Sequence, residues 1–324
     1  EQHVGAVLRK AVFVTQSKRL RGETLGNATV LGGFHEDEPE AAPVRPRPPL
    51  AIPVSPKLRP WLRAQWPTDA GPTPASPFFE RLFDQLAFRA GSRDGEDEFL
   101  SIHGLRHPGA PTCPGAFAVW RRGQHEVLGQ GDDGSPFPHS GLEVLREGRF
   151  APPPPAAGLE SAERHEGLAA CSLTVPNYNG VEWRRHSFWF AGRGLVVLDQ
   201  IQAQVTGVYD LRVHYRLTNP VEVHGASART RGGPNLTLDL PAGGAWTVLD
   251  AGGRCLAAEL RADLAEGQGL VMATVAAWLQ PGGLPSLRVE PASAVAFLVH
   301  GLSADPVVVG LPPANPSSQA MIAS

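Results

Sequence analysis

The sequence predicts an all-β protein, a large antiparallel β-sandwich or super-sandwich with a short helical or irregular segment at its N-terminus. Three observations carry this. The stretch 181–217, VEWRRHSFWFAGRGLVVLDQIQAQVTGVYDLRVHYRL, reads as three consecutive strands joined by two tight turns. Gly 36 and Pro 32 are high while charged residues make up only 19%, which favours frequent turns over long helices. Beyond Pro220 the chain keeps a short-strand rhythm through VEVHGASART, PNLTLDLP, GAWTVLDAG, CLAAELRADL, LVMATVAAWLQP and SLRVEPASAVAFLVHG to PVVVGLP.

From the N-terminus, 4–20 (VGAVLRKAVFVTQSKRL) spaces Val4, Val7, Leu8, Ala11 and Val12 as one helical face, although its valines also suit a strand. The stretch 41–77 is crowded with proline, PVRPRPPLAIPVSP among it. Proline lacks an N–H and fixes φ, so this segment is expected to be a linker or surface strap outside any sheet interior, with Trp61 and Trp66 packing at a few points. A helical turn is expected around 79–86, and strands thereafter. In 181–190, Trp183, Arg185, Ser187 and Trp189 share one face, and Arg184, His186, Phe188 and Phe190 the other. Ala191-Gly192-Arg193-Gly194 supplies a turn, and Asp199 interrupts an apolar strand. That pattern predicts a buried carboxylate hydrogen-bonded to Arg184 or Arg185. Thr206-Gly207 then turns the chain into the third strand of a predicted meander. The tail from Pro312 is expected to fray.

A net charge of −3 without a basic tract gives no basis for a nucleic-acid partner. No apolar run approaches the roughly 20 residues that span a bilayer, so no membrane insertion is expected. Cys113, Cys171 and Cys255 are widely spaced and contain no CxxC, which points to neither a zinc ribbon nor a disulfide framework.

The order of these elements resembles the heparinase II/III-like polysaccharide lyases. The stretch 77–105, PFFERLFDQLAFRAGSRDGEDEFLSIHGL, is similar to that family's entry strand. The stretch 116–134, AFAVWRRGQHEVLGQGDDG, looks like its next hairpin, and 138–148, PHSGLEVLREG, resembles the strand the family opens with His-Asn. The resemblance implies that 78–324 is the C-terminal sandwich, that 41–77 is a linker, and that 1–40 is the remnant of a helical domain. It also implies that an α/α toroid precedes this part in the parent chain, with an acidic polysaccharide as partner and a periplasmic or extracellular setting.

The implied reaction is β-elimination on a uronate-containing polymer. It needs a group that neutralises the carboxylate, a base for the C5 proton and an acid for the leaving oxygen. On this reading His139 neutralises or orients the uronate, His107 is the second histidine, and Asp132 orients or binds metal. Together His107, Asp132 and His139 have ligand types suited to Zn²⁺. The departures are marked. Gly109, Pro111 and Cys113 stand where the family pattern has His, His and Asp, and Ser140 replaces the Asn after His139, all of which implies weakened catalysis. Asp132 and Asp133 also read as an ordinary Asp-Asp-Gly turn, and His107 as a loop residue beside Pro108. Trp183, Arg184 and Arg185 suit a sugar-binding face, by stacking and by guanidinium contact with an acidic group, but a sheet core with flanking cations is favoured over it, because a meander must bury one face. The competing function is therefore a non-catalytic carbohydrate-binding or structural sandwich.

Overall fold

A computed structural model describes residues 49–68, 71–90, 98–106, 113–121, 124–128, 140–165, 168–231, 236–240, 244–278, 288–293, 296–300, 307–310 and 320–322. The helix expected at 4–20 and the unit expected at 1–40 lie outside them.

The proline-rich stretch contributes strand β1 (Leu50–Pro53) and helix α1 (Arg59–Ala64), and helix α2 (Ser76–Glu80) follows. The strap expectation needs correcting here. β1 pairs with β2 (Phe83–Ala90), but only as the edge strand of its sheet, where prolines need donate to no second neighbour. Val54, Leu62 and Trp66 are buried with Phe78 and Phe79 in a satellite cluster, whereas Trp61 stays exposed. The expected 79–86 turn is instead α2, which ends before β2 begins at Phe83.

β2, β3 (Glu98–His103), β4 (Phe117–Arg121) and β5 (Gln124–Leu128) continue the first sheet as antiparallel neighbours in chain order. A second sheet has the order β16-β17-β12-β6-β7, built from β6 (Gly141–Arg146), β7 (Arg149–Phe150), β12 (Gly207–Arg216), β16 (Trp246–Val248) and β17 (Cys255–Leu264). An isolated bridge between Phe117 and Ser140 links these two sheets.

The largest sheet runs β13-β14-β15-β18-β11-β10-β9-β8. Its strands are β8 (Gly158–His165), β9 (Leu168–Tyr178), β10 (Val181–Phe190), β11 (Gly194–Ala203), β13 (Val221–His224), β14 (Ser227–Thr230), β15 (Leu236–Asp239) and β18 (Gly269–Trp278). A smaller sheet holds β19 (Arg288–Ser293), β20 (Ala296–His300) and β21 (Val307–Gly310). In the tail, where fraying was expected, Ala320–Ile322 forms β22, parallel to β18. One apolar core, including Leu86, Ile102, Phe117, Val144, Trp183, Tyr215 and Leu256, draws on all three large sheets, which is the sandwich arrangement.

The hairpins at the centre follow from local chemistry. Asn179 and Gly180 lie between β9 and β10 with φ of 51° and 91°, the two positive values that a type I′ two-residue turn requires. Gly192, at φ 75°, turns β10 into β11, and Arg193 N–H donates to Phe190 C=O at 2.9 Å.

The third strand of the predicted meander does not stay in the sheet. β11 is flanked by β10 on one edge and by the sequence-distant β18 on the other, with Asp199 opposite Met272. No edge is left for β12, which crosses to the second sheet and pairs with β6 and β17. Two-residue periodicity marks a strand but does not name its neighbour.

The two faces of β10 differ sharply. Trp183, Arg185 and Trp189 enter the main core, while Phe188 and Phe190 join Val196, Leu198, Val271 and Val299 in a second cluster on the outer face. His186, on that outer face, is fully buried. Ser172 Oγ lies 2.8 Å from its Nδ1 and Gln200 Oε1 lies 3.4 Å from its Nε2. Burial pushes its pKa down from 6.5 to about 4, against a smaller opposing effect of Gln200. The unfolded histidine takes up a proton below pH 6.5 that the folded one refuses until about 4. Stability is therefore fully present above 6.5 and is lost as pH falls through that window, by on the order of 3 kcal/mol. Urea denaturation across this range should show the slope, and His186→Gln should remove its own share of it, leaving the share of His214, which burial likewise pushes down, to about 3. An unchanged slope in the variant would assign the acid sensitivity elsewhere.

Candidate functional site

The chemically densest place among the described residues lies where β10 and β11 face the first and second sheets. Arg185 and Asp199 stand directly opposite each other in the antiparallel ladder, 0% and 1% exposed. Arg185 Nε donates to Asp199 Oδ1 at 2.7 Å, and Nη2 donates to Oδ2 at 2.9 Å, a bidentate geometry. Trp183 Nε1 adds a third donor to Oδ1 at 2.7 Å. The predicted hydrogen-bonded carboxylate is thus present, and Arg185 is its partner.

The remaining guanidinium nitrogen reaches beyond the sheet. Arg185 Nη1 donates to the Gly115 carbonyl at 2.9 Å and to the Ser140 carbonyl at 3.3 Å. The group is sandwiched between rings, 4.9 Å from the Trp183 centroid and 5.5 Å from that of Phe117. Burial works to lower the Arg185 pKa, but the charge and hydrogen bonds of Asp199 outweigh it and raise the pKa, so the guanidinium stays charged. Tyr215 packs edge-on to both Phe117, at 5.9 Å, and Trp246, at 5.7 Å, and closes the rear of the cluster.

Around this clamp the chain comes together. Ser140 Oγ accepts from Arg216 N–H at 3.3 Å, and Arg216 Nη1 reaches Asp250 Oδ2 at 3.2 Å. Tyr178 O–H donates to Leu142 C=O at 3.1 Å. A Cβ placed on Gly141 would lie 3.5 Å from Cys113 Cβ, an ordinary contact distance, so Cys113 lies beside the start of β6. Burial pushes the thiols of Cys113 and Cys171 up to about 12, and that of Cys255 to about 11. None is a ready nucleophile at neutral pH. His214, two places from Arg216 on β12 and opposite Gly141, is pushed down to about 3, chiefly by burial and then by Arg212 and Arg185.

The expected site residues fare differently. His107, Asp132, Asp133 and His139 lie outside the described residues. Among the described residues, no group of three or more His, Cys, Asp or Glu side chains could hold a metal ion. The sugar face expected of Trp183, Arg184 and Arg185 is not assembled as one surface. Trp183 and Arg185 are both 0% exposed and occupied by Asp199, so neither offers a face to a sugar ring. Their burial is what the sheet-core reading predicts. Arg184 points to the opposite face, where Glu182 pairs with it at 2.6 Å and Glu160 lies at 4.0 Å. The sequence reading missed the carbonyls of Gly115 and Ser140 as guanidinium partners. No side-chain pattern marks a backbone acceptor; the only available signal was an arginine facing inward on a core strand.

The fold and this clamp define a large antiparallel sandwich in which a buried Arg–Asp pair in the middle of one sheet reaches the chain just before β4 and β6 through Arg185 Nη1. Solved structures that share the architecture include the heparan sulfate lyase HepC from Pedobacter heparinus, with a TM-score of 0.56 at 14% identity over 97% of this chain and 48% of that one. A heparinase III gene product gives a TM-score of 0.51 at 12% identity, over 71% of this chain and 41% of its own. At such identities the likeness is one of fold. The chain spans less than half the length of either structure. No protein-family model matches the sequence, and no curated protein does. No helix among the described residues is long and apolar enough to cross a membrane.

Proposed function

We propose that this chain is the sandwich part of a polysaccharide lyase that cleaves uronate-containing polymers by β-elimination, with a catalytic centre weakened relative to the family pattern. The observation that supports this most is the fold likeness to heparan sulfate lyase HepC, a TM-score of 0.56 in a match that covers 97% of the chain. In this reading His139 neutralises or orients the uronate carboxylate, His107 assists it, and Asp132 orients one of them or joins them in holding Zn²⁺. Neutralising the carboxylate acidifies the C5 proton, which is the energetic centre of the reaction. A preceding helical toroid in the parent chain supplies the remaining acid and base. The substrate class is an acidic polysaccharide such as heparan sulfate, and the compartment proposed is the periplasm or cell exterior.

The test is an ultraviolet assay for unsaturated uronate products, using the longest expressible form against heparan sulfate, heparin and alginate. Turnover should fall by about 100-fold or more in His139→Ala, the range typical of losing a positioned acid-base group. Silence across the panel together with measurable sugar binding would favour the non-catalytic binding sandwich instead.

A further inference from the structure

The Arg185–Asp199 pair presents an energetic puzzle. A buried ion pair contributes little net stability, because removing both charges from water offsets most of their attraction, and an apolar replacement of similar volume is often neutral or better. What such a pair does supply is geometry, and here the geometry is directed outward. Two of the guanidinium's donors satisfy Asp199, while Nη1 joins two backbone carbonyls from distant parts of the chain.

Those carbonyls belong to Gly115, just before β4, and to Ser140, just before β6. Each is held from other sides as well. Gly115 N–H donates to His103 C=O at 2.7 Å, and at its φ of 81° a Cβ would stand 3.0 Å from the Trp183 ring, so a side chain there would be both strained and crowded against the clamp. Ser140 bridges Phe117. In the sequence, His107 stands eight residues before Gly115, and His139 stands one before Ser140.

We propose that Arg185, oriented by Asp199, is a positioning residue: it holds the backbone at Gly115 and Ser140 in one juxtaposition, and turnover of the reaction proposed above depends on that juxtaposition. The effect on turnover rests on the lyase reading above, whereas the effect on backbone order does not.

The experiment replaces both charges at once, Arg185→Met with Asp199→Leu, in the full chain, so that no orphan charge remains buried. Its Tm should lie within about 4 °C of the parent. Hydrogen exchange by mass spectrometry should quicken about tenfold in peptides covering 113–117 and 140–142, with the β8 and β9 peptides unchanged. In the longest active form, kcat should fall at least about tenfold with KM little altered, the pattern expected of lost transition-state alignment. If the folded double variant exchanges like the parent at 113–117 and 140–142, Arg185 is only core filling and the proposal is wrong. A parent silent on every uronate polymer would remove the lyase reading, and the exchange comparison would still decide the positioning role. Should the double variant not fold, Arg185→Lys keeps a cation beside Asp199 but lacks the planar fork, and the same exchange comparison on it decides.

Discussion

Asp199→Ala is expected to destabilise the protein by about 3–5 kcal/mol, the cost of leaving a buried charge without its partner. Arg185 is 0% exposed and cannot turn to water when the carboxylate is lost. Trp183 Nε1 loses its acceptor in the same step, adding an unsatisfied buried donor. The loss should be read by urea denaturation at neutral pH, as a fall in midpoint with an unchanged m-value. A midpoint corresponding to less than about 1 kcal/mol would mean that water or a neighbouring group takes over the carboxylate's role. The double replacement proposed above should recover most of the loss, and this non-additivity separates an orphaned charge from a simple cavity.

Gly104→Ala is the second large effect, and its cause is steric. A Cβ there would lie 2.0 Å from the Phe83 carbonyl oxygen and 2.8 Å from its carbon, which are backbone atoms without rotamers to escape into. Gly104 N–H donates to Asp84 C=O at 2.9 Å and its own carbonyl accepts from Ala157 N–H at 2.7 Å, so the chain cannot withdraw without losing both bonds. The expected cost is about 3 kcal/mol or more, at the upper end for overpacking. Displacement of the chain beyond Gly104 should also disturb the Leu105 bridge to Ala156. Thermal unfolding checks it: a Tm within about 2 °C of the parent would show that β2 and β3 can separate without penalty.

Much of the strand content was legible because alternation needs only local information. The strand from Cys255 to Leu264 and the hairpin turn at Gly192 could be read from side-chain period and glycine placement alone. The Asp199 carboxylate was legible too, since a charge inside an apolar run demands a partner nearby. Partnership over long distances was not. β11 presents the same apolar pattern whether its second edge meets β12 or β18, and the choice of β18 rests on sheet closure across some seventy intervening residues, roughly counted. The proline-rich stretch misled in the same way, because its prolines exclude a central strand but permit an edge one, and only the sheet order tells which is present.

The candidate site divides along the same line. The sequence by itself determined that the protein is an antiparallel sandwich and that Asp199 needs a hydrogen-bonding partner, with Arg184 and Arg185 both open, because strand period and a charge inside an apolar run are local signals. Only the tertiary structure decided that this face is interior, that Trp183 and Arg185 hold a carboxylate and two carbonyls instead of a sugar, and that Gly115 and Ser140 meet on one guanidinium nitrogen. The physical reason is that burial and backbone hydrogen bonding depend on which sheet comes to lie above a face, and that is set by contacts between residues far apart in the chain.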